Sequence, residues 1–142
     1  MRSGVHPSAE PYPGGGWLCT VPFLPPSLND LASEHWGVRK SRQEQMDRWW
    51  RVLAYRHRIQ PFETVRLSLR IWFPSGRMRD PFNYVGKQLV DGAVHAGLVR
   101  DDQRHMRADE PILGYDKDRP RTEVLLRPWD GTRPMDQWGW PV

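Results

Sequence analysis

Cysteine is nearly absent: Cys19 stands alone in 142 residues, which excludes a disulfide framework within the chain and fits a reducing compartment, the cytoplasm. Cys19 sits in an apolar stretch and reads as buried filler rather than a nucleophile. Long apolar runs are also missing. None approaches the ~18 residues of a spanning helix, and no charged-then-apolar leader resembles a signal peptide, so no membrane partner is expected. The five histidines, His6, His35, His57, His95 and His105, have neither cysteine partners nor i,i+4 spacing, which argues against a zinc site. Ser75-Gly76 reads as a turn with no Gly-Lys-Ser/Thr after it, so a phosphate-cradling loop is excluded. There is no internal repeat.

What the chain has instead is positive charge, proline, glycine and tryptophan. Its formal net charge of +4 and isoelectric point near 9.6 favour a polyanionic partner, because arginines that neutralise phosphates release counterions. A soluble basic domain without such a partner is the plain alternative. The length suits one domain. Residues 1–16 hold three prolines and four glycines with almost no apolar periodicity and read as a flexible leader. Residues 17–128 read as the folded domain. Residues 129–142 form a Pro/Gly-punctuated tail whose Trp129, Trp138 and Trp140 suggest packing against something.

Within the domain, Trp17 to Val21 reads as a strand, and Pro22, Pro25 and Pro26 force an extended exit. Residues 27–40 show no period and read as a loop. Ser41-Arg-Gln-Glu44 is a capping-box pattern, followed by Met46, Trp49, Trp50, Leu53, Ala54 and His57 at helical spacing, which predicts a helix over 42–58, ended by Pro61. The tryptophans read as core. In TVRLSLRIWF, Val65, Leu67, Leu69, Ile71 and Phe73 alternate with Arg66, Ser68, Arg70 and Trp72, the mark of a half-buried strand. Asp80-Pro81 predicts a helix start, with a stripe from Tyr84 to Ala96 and a break at Gly97. Gly86 and Gly92 inside that helix point to close packing. Val124 to Leu126 reads as a strand, and 98–106 as a less regular one. The expectation is an α/β (α+β) domain with one small mixed sheet and two main helices, ordered roughly β-α-β-α-β(-β).

Four aspartates lie in RDPFNYVGKQLVDGAVHAGLVRDD. If the segment after Gly97 runs alongside the strand that precedes Asp80, then Asp80, Asp101 and Asp102 meet at one end of the sheet. Converging carboxylates raise one another's pKa values unless a cation sits between them. Such a site suits Mg²⁺, which takes one or two carboxylates plus substrate phosphate and activates a water. Lys87 then serves as a fixed cation for a phosphate. Each residue also has a structural reading: Asp80 as an N-cap, Asp101-Asp102 as solvated loop, and Lys87 with Asp91 as an i,i+4 ion pair.

The run RMRDPFNYVGKQLVDGAVHAGLVRDD resembles the signature of the RusA-type Holliday junction resolvases: an Arg-rich lead into Asp-x-x-Asn, a helix carrying Lys, an Ala-Gly turn and a terminal Asp-Asp. VPFLPPSLN is similar to that family's opening strand and Pro-Pro-Ser-x-Asn. The likeness covers about residues 18–127. It implies a small homodimeric Mg²⁺-dependent endonuclease (with Mn²⁺ as a substitute) that nicks four-way DNA junctions symmetrically in recombination and repair. Asp80, Asp101 and Asp102 become metal ligands, Asp102 foremost. Lys87 becomes the catalytic lysine, one residue further from Asn83 than in the family pattern. Asn83 positions the helix start or the metal's waters.

A two-fold protein suits a junction with two symmetry-related strands to cut. Lys40, Arg42, Arg66, Arg70, Arg77 and Arg79 would supply phosphate contacts that fix position without reading bases. The family pattern is Asp-x-Asp-Asn, and here Phe82 replaces the second acid, in the Asp-Pro-x-Asn form of phage-borne members. Either Asp80, Asp101 and Asp102 suffice, with Asp91 several turns away, or the chain is a catalytically silent branched-DNA-binding module. A third reading, assembly with another protein through the Trp-rich tail, rests on the tail tryptophans alone.

Overall fold

The computed structural model describes residues 6–100 and 104–131. Its strands are β1 (Ser8–Tyr12), β2 (Gly16–Val21), β3 (Val65–Phe73), β4 (Met106–Ala108), β5 (Ile112–Tyr115) and β6 (Arg121–Pro128), and its helices α1 (Leu28–Ser33), α2 (Trp36–His57) and α3 (Lys87–His95). One mixed sheet runs β1-β2-β6-β3, with antiparallel pairs throughout that series. The far edge of β3 is shared, because β4 pairs in parallel with Val65–Leu67 and β5 in parallel with Arg70–Phe73. The result is the expected α+β domain with a mixed sheet.

The alternation of β3 is realised residue by residue: Val65, Leu67, Leu69, Ile71 and Phe73 are buried and the residues between them are not. Buried side chains of β2 (Cys19, Val21) and β6 (Val124, Leu126) continue that face, and α2 and α3 cover it through Met46, Trp50, Leu53, Leu89 and Ala93. Burial pushes the Cys19 thiol up to about 12, so it stays a neutral filler. The opposite face carries Arg66, Ser68, Arg70 and Trp72 of β3 and Arg121, Glu123, Leu125 and Arg127 of β6, none of them fully buried. The domain therefore has two layers, with one face of its sheet open.

Several boundaries differ from those the sequence suggests. The leader is not all irregular, since residues 8–12 form β1 and pair with β2 across a turn at 13–15. The stretch read as a loop over 27–40 holds α1, capped by the Ser27 hydroxyl accepting from the Asp30 amide, and the first turn of α2. The N-cap of α2 is His35, whose ring accepts from the Gly37 amide, and Ser41 lies inside the helix. At the other end Arg58 adopts the left-handed conformation, φ 54°, and stops α2 ahead of Pro61. Trp129 belongs to the domain rather than to a separate tail: it is buried, its amide donates to the Thr64 carbonyl, and its carbonyl accepts from the Thr64 hydroxyl. Trp138 and Trp140 lie outside the described residues.

The helix expected over 81–96 is broken in two. Pro81–Asn83 is a single 3₁₀ turn, and α3 starts only at Lys87 after Gly86 at φ 64°. A Cβ on Gly86 would fall 2.6 Å from Leu69 Cδ1, so the break lets the chain touch β3 before the helix turns away. Gly97, at φ 78°, ends α3 where expected. Among the described residues no helix is long and apolar enough to cross a membrane.

Gly92 sets the approach of α3 to α2. A Cβ there would sit 2.7 Å from Trp50 Cδ1 and 3.2 Å from the Met46 backbone carbon. The Trp50 ring has no room to retreat, because its Nε1–H donates to the Leu89 carbonyl at 2.8 Å inside the core. Alanine is the better helix former by about 1 kcal/mol, yet overpacking costs about 1–3 kcal/mol. Gly92→Ala is expected to lower stability by about 1–2 kcal/mol in urea unfolding, despite its gain in propensity.

Candidate nucleic-acid interface

Three polar bridges lock the start of α2 to the start of α3. Gln88 is buried; its Nε2 donates to the Arg39 carbonyl at 2.7 Å and its Oε1 accepts from Arg42 at 3.1 Å. Gln43 Nε2 donates to the Gln88 carbonyl at 2.9 Å. Further along, His95 Nδ1 lies 2.9 Å from Asp47 Oδ1. These ties open a groove of about 480 Å³ between α1, α2 and α3, lined by Leu28, Leu31, Trp36, Lys40, Lys87 and Asp91 among others. Trp36 is 67% exposed, with the Lys40 ammonium 6.0 Å from its ring centroid. Two residues singled out from sequence, Lys40 and Lys87, thus rim one groove together with an exposed aromatic.

Lys87 lies 3.2 Å from Asp91 Oδ2 as an i,i+4 pair. Exposed pairs of this kind are worth about 0–1 kcal/mol, so the ammonium can exchange its carboxylate for a phosphate at little cost. Arg42 is differently placed. Its guanidinium meets both oxygens of Glu34, at 2.5 and 2.7 Å, and the hydrogen bond from Arg42 is the chief reason the Glu34 carboxyl lies below its ordinary value. Arg42 is committed to fastening α1 onto α2 and is not free to meet a phosphate.

Asp80 caps the 3₁₀ turn, its Oδ1 accepting from the Phe82 amide at 3.0 Å, as its N-cap reading requires. Asn83 is half-buried, and its amide donates to the Asp80 carbonyl at 3.0 Å. Arg79 stacks over Phe73 at 4.0 Å and donates to the Ser75 carbonyl and hydroxyl, while Arg77 is exposed. Tyr84 packs edge-on against the same Phe73 ring. Asp80 is therefore held at the Phe73 end of β3. Phe82, standing where an acid was expected, is 69% exposed.

Asp101 and Asp102 lie outside the described residues. Their described neighbours on either side are fixed at the other end of β3: the Leu98 carbonyl accepts from the Phe62 amide and the His105 carbonyl from the Val65 amide, both at 2.8 Å. The strand that follows them, β4, pairs with β3 in parallel and so begins where β3 begins, and Val65 to Phe73 spans about 26 Å at ~3.3 Å per residue. Among the described residues no three His, Cys, Asp or Glu side chains form a group able to hold a metal. Asp80 alone contributes one exposed carboxylate with its Oδ2 uncommitted, a partial fit to Mg²⁺, which takes one or two carboxylates plus phosphate.

The open sheet face carries a second cationic surface that sequence reading found only in part. Asp109 sits at its centre, accepting from Arg66 Nε at 2.9 Å and the Ser68 hydroxyl at 2.6 Å, with Arg107 and Arg127 each at 3.7 Å. Beside it Glu123 accepts from Trp72 Nε1 and lies 3.9 Å from Arg70. Arg70 and Arg121 approach the Trp72 ring at 6.0 and 5.1 Å. Four arginines thus surround two carboxylates, and Arg121 is held by a third, Asp116, at 2.8 Å. Arg66 and Arg70 were visible from the alternation of β3; Arg107, Arg121 and Arg127 needed the register, although the alternation in RTEVLLRP carried the signal for the last two.

No protein-family model matches this chain, and no curated protein matches it.

Burial pushes the Asp109 carboxyl up, but the Ser68 hydroxyl, the Arg66 guanidinium and the charges of Arg66 and Arg107 together outweigh it and hold the group below the ordinary carboxylate value. A lowered folded value contributes stability above the unfolded value of ~3.9, lost as pH falls through the folded one. Asp109→Asn is expected to cost about 1–3 kcal/mol at neutral pH. The gap from the unsubstituted protein, followed by urea unfolding across pH, should hold down to about pH 5 and close below pH 4.

Proposed function

We infer that this chain is a Mg²⁺-dependent endonuclease of the RusA-like kind, acting on four-way DNA junctions as a two-fold pair of copies in the cytoplasm. The observation that carries the reading is the groove in which Lys87, at the heart of the motif, shares a rim with Lys40 and the exposed Trp36. It combines mobile cations for a sugar-phosphate backbone with an aromatic surface for a base. The basic sheet face, with Arg66 and Arg70, adds contacts that hold duplex arms without reading sequence. A bound Mg²⁺ would supply an activated water and charge neutralisation at the scissile phosphate. Asp80 would contribute one carboxylate to hold it. The Lys87 ammonium, released from Asp91, would face the developing charge on the phosphate.

The remaining acids of the motif are Asp101 and Asp102. Since Asp80 and the described neighbours of that pair are fixed at opposite ends of β3, the reading includes a site shared between copies: Asp80 from one and the Asp101-Asp102 pair from the other. Two-fold pairing of this sort yields two equivalent sites, one for each strand to be cut.

A second reading, a silent module that binds branched DNA, is favoured by Phe82, which cannot ligate a metal. Purified protein with a mobile four-way junction separates the two. The nuclease reading expects symmetric nicks only with Mg²⁺, lost in Asp102→Asn with binding retained. It expects a roughly 10²–10³-fold slower cut in Lys87→Ala, the size seen when one preorganised electrostatic donor is removed. Tight binding without any metal-dependent product supports the silent module.

Mixing two inactive variants, Asp80→Asn and Asp102→Asn, tests the sharing. If the site spans two copies, each mixed pair keeps one intact site and nicking returns. If each copy holds a whole site, the mixture stays inactive.

A further inference from the structure

We propose that the outer face of the second half of α2 is a separate surface for unpaired nucleic acid, on which Tyr55 stacks against bases while Arg48, Arg51, Arg56 and Arg58 hold the flanking phosphates. This surface goes beyond the nuclease reading and does not require the backbone to be cut. The stretch from Arg48 to Arg58, RWWRVLAYRHR, contains four arginines and no acid. Trp50 and Leu53 point into the core, and Arg48, Val52 and Tyr55, at i, i+4 and i+7, lie on the opposite, exposed side.

Tyr55 is 89% exposed, more than any other aromatic side chain among the described residues. None of the four guanidiniums has a hydrogen bond or ion pair with a described residue, unlike Arg42, Arg66 and Arg121, which each hold a carboxylate. Uncompensated like charges on neighbouring turns repel. Charge at the last turn of a helix suits its dipole, which accounts for Arg56 but not for Arg48 or Arg51. Arg58 holds a left-handed backbone that glycine fills more readily, yet the position keeps its cation.

Two clefts of about 550 and 480 Å³ meet at this point. Ala54, Arg58, Ile59 and Gln60 line the first and Arg48, Arg51 and Val52 the second, with Tyr55 and Arg56 lining both. A single ring between two cation-rimmed hollows suits bases that have left their stack, since every base has a face to offer and the phosphates follow the arginines. A membrane surface is the poorer match, because interfacial helices insert a broad apolar face, and that face of α2 is already inside the protein.

The test measures anisotropy of a labelled oligothymidylate and of a duplex of equal length, with the full chain and a chelator present so that no cutting intervenes. Tyr55→Ala should weaken oligothymidylate binding about tenfold, within the range for one stacked base, and leave the duplex essentially unchanged, whereas Tyr55→Phe should bind as the parent does. The double variant R48E/R51E should weaken binding and flatten its dependence on salt. Thermal melts matching the parent establish that these exposed positions leave the fold intact. Unchanged oligothymidylate binding in Tyr55→Ala, equal loss on duplex and single strand, or indifference to the arginine substitutions overturns the proposal. Because metal is chelated throughout, failure here and failure of junction cleavage are separate results.

Discussion

The contact between Trp50 and the backbone of α3 is the constraint from which the placement of the functional residues follows. The indole donates to the Leu89 carbonyl and lies against Gly92, where a side chain would collide with it. That close crossing pins α3 to α2, and the Gln88 bridges at the open end turn the crossing into a fixed angle. Lys87 begins α3 and Lys40 lies on the first turns of α2, so the distance between the two cations across the groove is set in the core rather than at the surface. Rigid elements of this kind hold a binding constellation more faithfully than loops do.

The strongest local patterns survived folding, and the misreadings share a cause. The alternation in TVRLSLRIWF needed no partner to be recognised. The capping box at Ser41 was equally local, but α2 extends past it, tied there by the bidentate grip of Arg42 on Glu34, eight residues back, and by the long-range demand of buried Gln88 for the Arg39 carbonyl. Gly86 looked like a weak point inside one helix, and only its contact with Leu69 across the sheet shows why the helix must break there. β1 hid behind Pro7, Pro11 and Pro13 because its partner is β2, beside which its half-buried Ala9 packs against the core. Of the candidate site, Lys40, Lys87 and the β3 arginines could be found from sequence. Asp109 could not, since a carboxylate between Ala108 and Pro111 signals nothing until β4 is aligned beside Arg66.

The protein distributes cations in two ways. On the sheet, arginines are braced by Asp109 and Glu123, which fix their directions and reduce their mutual repulsion. On the outer side of α2 they are left unbraced. A braced guanidinium presents its remaining donors in one geometry, whereas an unbraced one follows its ligand. In the functions proposed above, the braced face takes a regular duplex and the unbraced one an irregular strand.

The borders of the sheet carry a final consequence. One border is the five-residue β1, interrupted by Pro11, which has no N–H to offer; the other is divided between three-residue β4 and four-residue β5, with Pro111 between them. Neither margin can template a long additional strand, which guards a tryptophan-rich chain against amyloid-like stacking. Any self-association is thereby diverted from ladder extension to side-chain surfaces, where shape and charge rather than the peptide backbone choose the partner.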